Sequence, residues 1–424
     1  MQDHALRQTL NDELHGRPGL PVHAPARITH LAFTIAQGDE DPLQCVRQLC
    51  DALGMKPPLD GAPHHAAQLE HGIFKYERHG EFYRISVTME GNGTRNEAVS
   101  CLPLGWLDSL PGQRLVAIHT HILGAKSKPP GEKALEVIFG HSEIACSLTN
   151  QNKATVWTDF RIGADGYTRM LVHDHGLSPM RMGRLTRRLH ELETYRMMAL
   201  LAFPLARQLQ AELGPLEKSL SQTVDHMLSA RGADEDASLL QQLSGIARDV
   251  EEISNRTSYR FAAARAYAAL VNKRLSELSE ERVMNYQRLG VFLDRRFSPA
   301  MTTCNAVSER ISSLAARTER ASNLLRTHVD IALEGQNQQL LRSMETRARQ
   351  QLMLQQTVEG LSVVAISYYS IGIIGKLIDG LANYLPWLDA KLAGVISIPV
   401  IFIVVWAMVA HIRRRIHRAA TVDR

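Results

Sequence analysis

The sequence predicts an α+β domain, followed by long α-helices and two transmembrane helices near the C-terminal end. Strand and helix patterns alternate up to about residue 176, the pattern is helical from about Ser178, and the longest apolar runs lie in the last 70 of 424 residues. We therefore expect a cytoplasmic α/β domain (1–176), a long-helix stalk (177–357), a membrane domain (358–412) and a basic cytoplasmic tail (413–424).

The first domain is expected to hold a sheet covered by helices. Single strands are predicted over Arg27–Ile35 and Arg114–Leu123, and a helix over Asp41–Leu53, from their hydrophobic spacing. Two further segments are predicted to be hairpins, Gly72–Met89 turning at His79-Gly80 and Ala154–Val172 turning at Asp165-Gly166.

The stalk is expected to consist of a few long helices. Pro204 and Gly214-Pro215 should kink or divide the first of them, and a second should cover Leu239–Phe297. Pro299 suits the first turn of the next helix. A helix from Ala321 to Ile378 would be ~85 Å long at ~1.5 Å per residue.

Two segments, 360–378 and 392–410, are long and apolar enough to span a membrane as helices. Arginines flank both outer ends, whereas the connecting loop carries one lysine and two aspartates. The positive-inside rule then places both chain ends in the cytoplasm. We expect a multi-pass protein of the cytoplasmic (inner) membrane, with the bilayer as a partner. The expected interface anchors are Trp387, Trp406, Arg413, Arg414 and Arg415.

The composition excludes several function classes. A net charge of +4 gives no concentrated basic face for nucleic acid, and five scattered cysteines form no CxxC pair. None of the common nucleotide-binding, hydrolase or zinc-protease motifs is present, so we predict neither an enzyme nor a cofactor.

Short runs of charged or histidine residues were weighed as sites. His119 and His121 share one face of a predicted strand, which would suit two metal ligands, but a half-exposed strand face is the preferred interpretation. His64 and His65 are expected in a loop. In "ELHGRP" (Glu13–Pro18) and "TDFR" (Thr158–Arg161), a structural ion pair is preferred over an anion site.

The most informative pattern is a stripe along the last long helix. At 100° per residue, one face carries apolar residues first and then polar groups near the membrane boundary. Polar groups in a span face other helices or water, because lipid cannot form hydrogen bonds with them. The candidate pore or oligomer-seam residues are Asn337, Leu340, Met344, Gln351, Gln355, Glu359, Ser362, Ile366, Tyr369 and Ser370.

Two helices per chain cannot enclose a pore, so the stripe predicts a homo-oligomer with a packed seam or a channel on its axis. The alternative is that Glu359 reaches back to the membrane surface while the serines bond to backbone carbonyls of their own helix. "HELETYRMMALL" (His190–Leu201) is expected to pack the first long helix onto the sheet.

Two resemblances add to these predictions. The strings "ERHGEF", "TDFR", "ETYRMMALL" and "QNQQLLRSMETRARQQLMLQQTVEGLSVVAISYY" resemble a bacterial family of membrane-anchored proteins classed as a domain of unknown function. That resemblance covers nearly the whole chain and implies no activity.

The second resemblance is architectural, to the CorA-type magnesium transporter superfamily. It implies a homo-oligomer, in that family a pentamer, whose first span lines a pore for a divalent cation. The family's Gly-Met-Asn motif is absent, since Gly375-Lys376-Leu377 stands in its place. We therefore expect a CorA-like cation channel or transporter of unknown selectivity, or a membrane-anchored scaffold or sensor whose spans only tether and oligomerise the cytoplasmic domain.

Overall fold

The computed structural model describes residues 3–8, 11, 19–36, 38–91, 97–140, 143–229, 233–382 and 390–420, with backbone alone at 233, 381–382, 390 and 412–420. The chain divides into two compact units, Met1–Asn323 and Leu324–Arg424. The first unit contains the sheet and the helices that cover it.

The sheet of the first unit has nine strands in the order β2-β3-β4-β1-β5-β8-β7-β6-β9. Strands β5 and β8 pair in parallel, whereas the other paired neighbours run antiparallel. The strands are β1 (Ala26–Thr34), β2 (His64–Leu69), β3 (Gly72–Arg78), β4 (Phe82–Glu90), β5 (Gln113–Leu123), β6 (Ala145–Thr149), β7 (Ala154–Ile162), β8 (Thr168–Asp174) and β9 (Glu281–Arg282).

Seven helices are named here in chain order. They are α1 (Pro42–Ala52), α2 (Glu132–Phe139), α3 (Pro179–Leu200), α4 (Ala202–Ser229), α5 (Ala233–Leu278), α6 (Leu289–Ala382) and α7 (Ala390–Ala420). The predicted α+β class with long helices is confirmed. Both predicted hairpins, β1, β5 and α1 form where the hydrophobic spacing placed them.

The two faces of the sheet are covered by different helices. On β1, Leu31 and Phe33 lie in a hydrophobic cluster with Val46 and Leu49 of α1. The alternate residue His30 instead contacts α3, where its Nε2 lies 3.2 Å from the Thr194 hydroxyl. The period-two alternation of a strand therefore separates an α1 face from an α3 face.

Three predictions about the elements are wrong. His64 and His65 begin β2 instead of lying in a loop, because β3 supplies an antiparallel neighbour. The helix predicted over Leu239–Phe297 is broken, since α5 ends at Leu278 and β9 then joins the sheet beside β6. Pro299 lies inside α6 rather than in its first turn.

Long-range capping explains where α6 begins. The Ser147 hydroxyl on β6 accepts the Leu289 N–H at 3.0 Å and donates to Glu280 at 3.3 Å. The Glu280 carboxylate in turn accepts the Gly290 N–H at 3.0 Å. Side chains thus satisfy two N–H groups that a helix start leaves without internal partners. The helix starts ten residues before Pro299 because these caps come from elsewhere in the fold.

The α3 helix packs on the sheet as the sequence predicts. His190 is buried and its Nε2 lies 2.9 Å from the Thr120 hydroxyl of β5. Its ring stacks on His30 of β1, with the ring centroids 4.7 Å apart. This pair lies against the α3 face of the sheet, on the side opposite α1.

A buried ion network joins the sheet to α3 and α5. Arg84 of β4, only 2% exposed, donates to Glu77 at 2.6 Å and to Glu191 of α3 at 3.2 Å. Glu191 also accepts from Arg187 at 2.8 Å and from Arg274 of α5 at 2.6 Å. Five side chains thus form one network, and removing Arg84 from it would leave Glu77 and Glu191 buried without the cation they share.

Arg84→Met should lower the free energy of unfolding by about 3–5 kcal/mol, because Glu77 and Glu191 would remain buried without their shared cation. Chemical unfolding of the full chain in detergent measures this change. The control, Arg248→Met, removes the exposed pair with Asp249 and should cost at most about 1 kcal/mol. Equal destabilisation by the two variants would contradict the importance of the network.

The histidine pair predicts a pH dependence of stability. Burial, reinforced by the charge of Arg84, lowers the pKa of His190 to about 3, and burial also lowers that of His30. Below pH ~6.5 the unfolded chain binds more protons than the folded one. The contribution of these neutral histidines to the free energy of unfolding is therefore fully present above that pH and is lost as the pH falls toward 3.

Between pH 7.5 and pH 5, the free energy of unfolding should fall by about 2 kcal/mol less in His190→Gln than in the unaltered chain, because glutamine does not titrate. Denaturant unfolding at both pH values measures the difference. The exposed His71→Gln should retain the full pH dependence. If His190→Gln retained it as well, another group would carry the effect.

Candidate functional site

The predicted stripe lies entirely within α6 and in the second unit. Eight of its residues are exposed, and Glu359 and Ser370 are half-buried. Leu340 and Met344 expose 60% and 58% of their surfaces, although both precede the apolar window of 360–378. Within a single chain, this part of α6 leaves large apolar side chains uncovered, which is typical of an interaction surface.

The polar residues of the stripe have partners along their own helix. Gln355 donates to Glu359 at 3.3 Å, and the Ser362 hydroxyl donates to the Val358 carbonyl at 2.8 Å. Ser367, which the sequence analysis did not single out, is 3% exposed, and its hydroxyl has no hydrogen-bond partner among the described residues. Local bonds therefore satisfy part, but not all, of the polarity in this segment.

Helices α6 and α7 each contain a stretch long and apolar enough to cross a membrane. Trp406, a predicted interface anchor, is 62% exposed on α7. Arg413, Arg414 and Arg415 continue the α7 backbone. Trp387 lies outside the described residues, and so does the "ELHGRP" run.

A second candidate site is a cleft of about 840 Å³ in the first unit. It lies beside α2 and the β7–β8 hairpin. Apolar residues that include Leu123, Ile138, Phe139 and Leu171 form part of its lining. The titratable groups of its lining are Glu97, His121, Asp159, Arg161, Asp165 and Arg169.

Of the two histidines that the sequence singled out, His121 lines this cleft and His119 lies buried beside it. The His121 Nε2 lies 3.0 Å from the Glu97 carboxylate, and the His119 Nδ1 lies 3.5 Å from the same oxygen. His119 is buried, where the Thr29 hydroxyl lies 3.0 Å from its Nδ1 and Tyr167 stacks on its ring. The expected half-exposed strand face is therefore confirmed for His121 but wrong for His119.

The charge state of this cluster follows from its contacts. Burial opposes the charge of Glu97, but the hydrogen bond from His121 and the nearby positive groups outweigh it and lower the pKa of Glu97. Burial lowers the pKa of His119 despite the neighbouring Glu97. In the described part of the chain, no group of three or more His, Cys, Asp or Glu residues could hold a metal ion.

The "TDFR" run forms an irregular bulge at the other side of the cleft. The β7–β8 register shifts between Thr158 and Ile162, and Phe160 has a φ of 54°, in the left-handed region that a bulky residue rarely adopts. The expected ion pair is absent among the described residues. Asp159 instead accepts the backbone N–H of Arg161 at 3.1 Å.

The turn of the same hairpin closes the cleft with a salt bridge. Arg169 donates to Asp165 at 2.6 Å, and the Asp165 carboxylate also accepts the Tyr167 N–H at 3.2 Å. Burial opposes the charge of Asp165, but that N–H and Arg169 lower its pKa below the ordinary value. Asp165 and Arg169 thus neutralise each other.

Sequence reasoning singled out the histidines and the "TDFR" run but not the cleft beside which they lie. Glu97 gave no signal, because it follows a polar stretch of sequence and meets His121 only through tertiary structure. The positive φ at Phe160 could not be expected either, since phenylalanine ordinarily favours extended backbone. The alternation of β5 was the one sequence feature that placed His119 and His121 on a common face.

The fold and these sites define a class of α+β protein with a sheet unit, long helices and two helices able to cross a membrane. The chain belongs to the family described as "Protein of unknown function (DUF3422)", which it matches over residues 2–416. The family resemblance predicted from the sequence strings is therefore confirmed. A search of the curated proteins found no match.

Proposed function

We propose that this protein is a multi-pass inner-membrane homo-oligomer in which the α6 stripe faces the oligomer axis and lets cations pass. The segments 360–378 and 392–410 cross the bilayer, and both chain ends are cytoplasmic. The subunits are arranged in a CorA-like manner, and a divalent cation is one candidate ion. The sheet unit is the cytoplasmic domain.

The observation that supports this proposal is the uncovered length of α6. Leu340 and Met344 lie on an exposed helical face outside the apolar window, where lipid would not cover them. Further copies of the same helix would bury these side chains and bring Gln355 and Glu359 of each copy to a common axis. A ring of carboxylates with neighbouring amides attracts cations over anions.

A second candidate function is supported by the local hydrogen bonds of the stripe. Because Gln355 bonds to Glu359 and Ser362 bonds to its own helix, these groups do not require water or ions. The seam would then be closed, and the spans would tether and oligomerise a cytoplasmic scaffold or sensor. Both candidates predict an oligomer, and only the first predicts flux.

Glu359→Gln should reduce cation flux by roughly tenfold, because it removes the charge that would concentrate cations on the axis. The measurement is uptake of K⁺ and Mg²⁺ into liposomes that contain the purified full chain. Glu345→Gln is a matched control, since the Glu345 carboxylate precedes the apolar window and is already paired with Arg349 of the same helix at 2.7 Å. It should leave the flux unchanged.

Cysteine cross-linking tests the oligomer in the same preparation. Met344→Cys should form intermolecular disulfides, whereas Glu345→Cys should form few. Cross-linking at residue 344 without any flux would establish the closed seam and reject the conduit. A monomer in mild detergent with no cross-linking at residue 344 would reject both candidates.

A further inference from the structure

We propose that the cleft beside α2 and the β7–β8 hairpin binds a free α-amino acid with a large apolar side chain. Asp159 would receive the ammonium group, and Arg161 would receive the carboxylate. This inference concerns the sheet unit and does not depend on whether the membrane segments conduct ions.

The first argument is the charge that remains after the cleft's own pairs are formed. Glu97 is bonded to His121, and Asp165 to Arg169. Among the described residues, Asp159 and Arg161 are the two titratable groups of the lining with no side-chain partner of opposite charge. The cleft therefore offers one unpaired carboxylate and one unpaired guanidinium.

The burial of Asp159 makes its lack of a cation informative. Its residue surface is only 6% exposed, and among the described residues it accepts a hydrogen bond from the Arg161 N–H. A buried carboxylate is costly unless it is paired with a cation or fully hydrogen-bonded. A ligand ammonium group would supply both a positive charge and further donors.

The bulge of β7 carries two opposite charges that are two residues apart in the chain. Asp159 and Arg161 are two residues apart on a segment that Phe160, with its φ of 54°, bends out of the regular β7 strand. Backbone held in a sparsely populated region is found more often at ligand sites than elsewhere. An α-amino acid carries an ammonium group and a carboxylate on the same carbon, one charge for each of these two side chains.

The apolar wall accounts for the side chain of the ligand. Ile138 and Phe139 of α2 lie on one side of the cleft, and Leu171 of β8 belongs to the cluster behind them. Val137 and Ile162 at the rim expose 86% and 66% of their surfaces. The cleft volume of about 840 Å³ falls within the range of small-molecule sites.

Three probes that differ in one charged group test this assignment. L-phenylalanine carries both charges, phenethylamine lacks the carboxylate, and 3-phenylpropionate lacks the ammonium group. Calorimetric titration of the full chain in lipid nanodiscs, with empty discs as blanks, measures each affinity. L-phenylalanine should bind at least about tenfold more tightly than either analogue, since each analogue loses one charge-assisted contact.

Two variants assign each charge to its residue. Asp159→Asn keeps an oxygen that can accept the Arg161 N–H. It should weaken the binding of L-phenylalanine about tenfold and leave the affinity for 3-phenylpropionate unchanged. Arg161→Gln should weaken the binding of L-phenylalanine by a similar factor and leave the affinity for phenethylamine unchanged. Arg161 is exposed, so this second variant is informative even if Asp159→Asn fails to fold.

The matched controls are Asp108→Asn and Arg181→Gln, which make the same changes at exposed positions outside the cleft. Both should bind all three probes as the unaltered chain does. The assignment is overturned if none of the probes binds saturably, if the three bind equally well, or if Arg161→Gln leaves the affinity for L-phenylalanine unchanged.

Discussion

The buried pairing of Arg84 with Glu77 and Glu191 is the interaction on which the first unit depends. A guanidinium that is 2% exposed is tolerated only because two carboxylates hold it, one from the neighbouring strand and one from α3. Glu191 then reaches Arg274 of α5. The orientation of α3 and α5 on the sheet is therefore fixed by directional hydrogen bonds as well as by apolar packing.

This arrangement determines which residues are left for the other face of the sheet. With α3 against His30 and Thr120, the alternate residues Thr29, His119 and His121 must face the α1 and α2 side. That side is covered less completely, because α2 is short and the β7 bulge departs from the regular ladder. The cleft is the space that remains between them.

The second unit follows a different physical rule. Its helices have few buried side chains within the chain, and three of these, Ser367, Ile401 and Val405, lie in the apolar segments. An exposed helical face as apolar as that of Leu340 and Met344 is typical of a surface that another molecule covers. The sheet unit carries its own core, whereas this unit leaves most of its large apolar side chains exposed within one chain.

Much of the fold could be predicted from local pattern. The hairpins, β1, β5, α1 and the unbroken helix from Ala321 to Ile378 within α6 follow from hydrophobic period and turn residues, because these signals act over a few neighbouring positions. The starts of β2 and α6 could not be predicted. Each depends on a distant partner, β3 for His64 and His65, and Ser147 with Glu280 for the first turn of α6.

The same division applies to the sites. By itself, the sequence determined the two apolar segments, the stripe from Asn337 to Ser370 and the common face of His119 and His121, since each is a matter of spacing along one element. Only the tertiary structure decided that Glu97 meets those histidines and that Asp159 is buried without a cation. Those facts depend on which strands become neighbours, and pairing across 20 or more residues leaves no periodic trace in the chain.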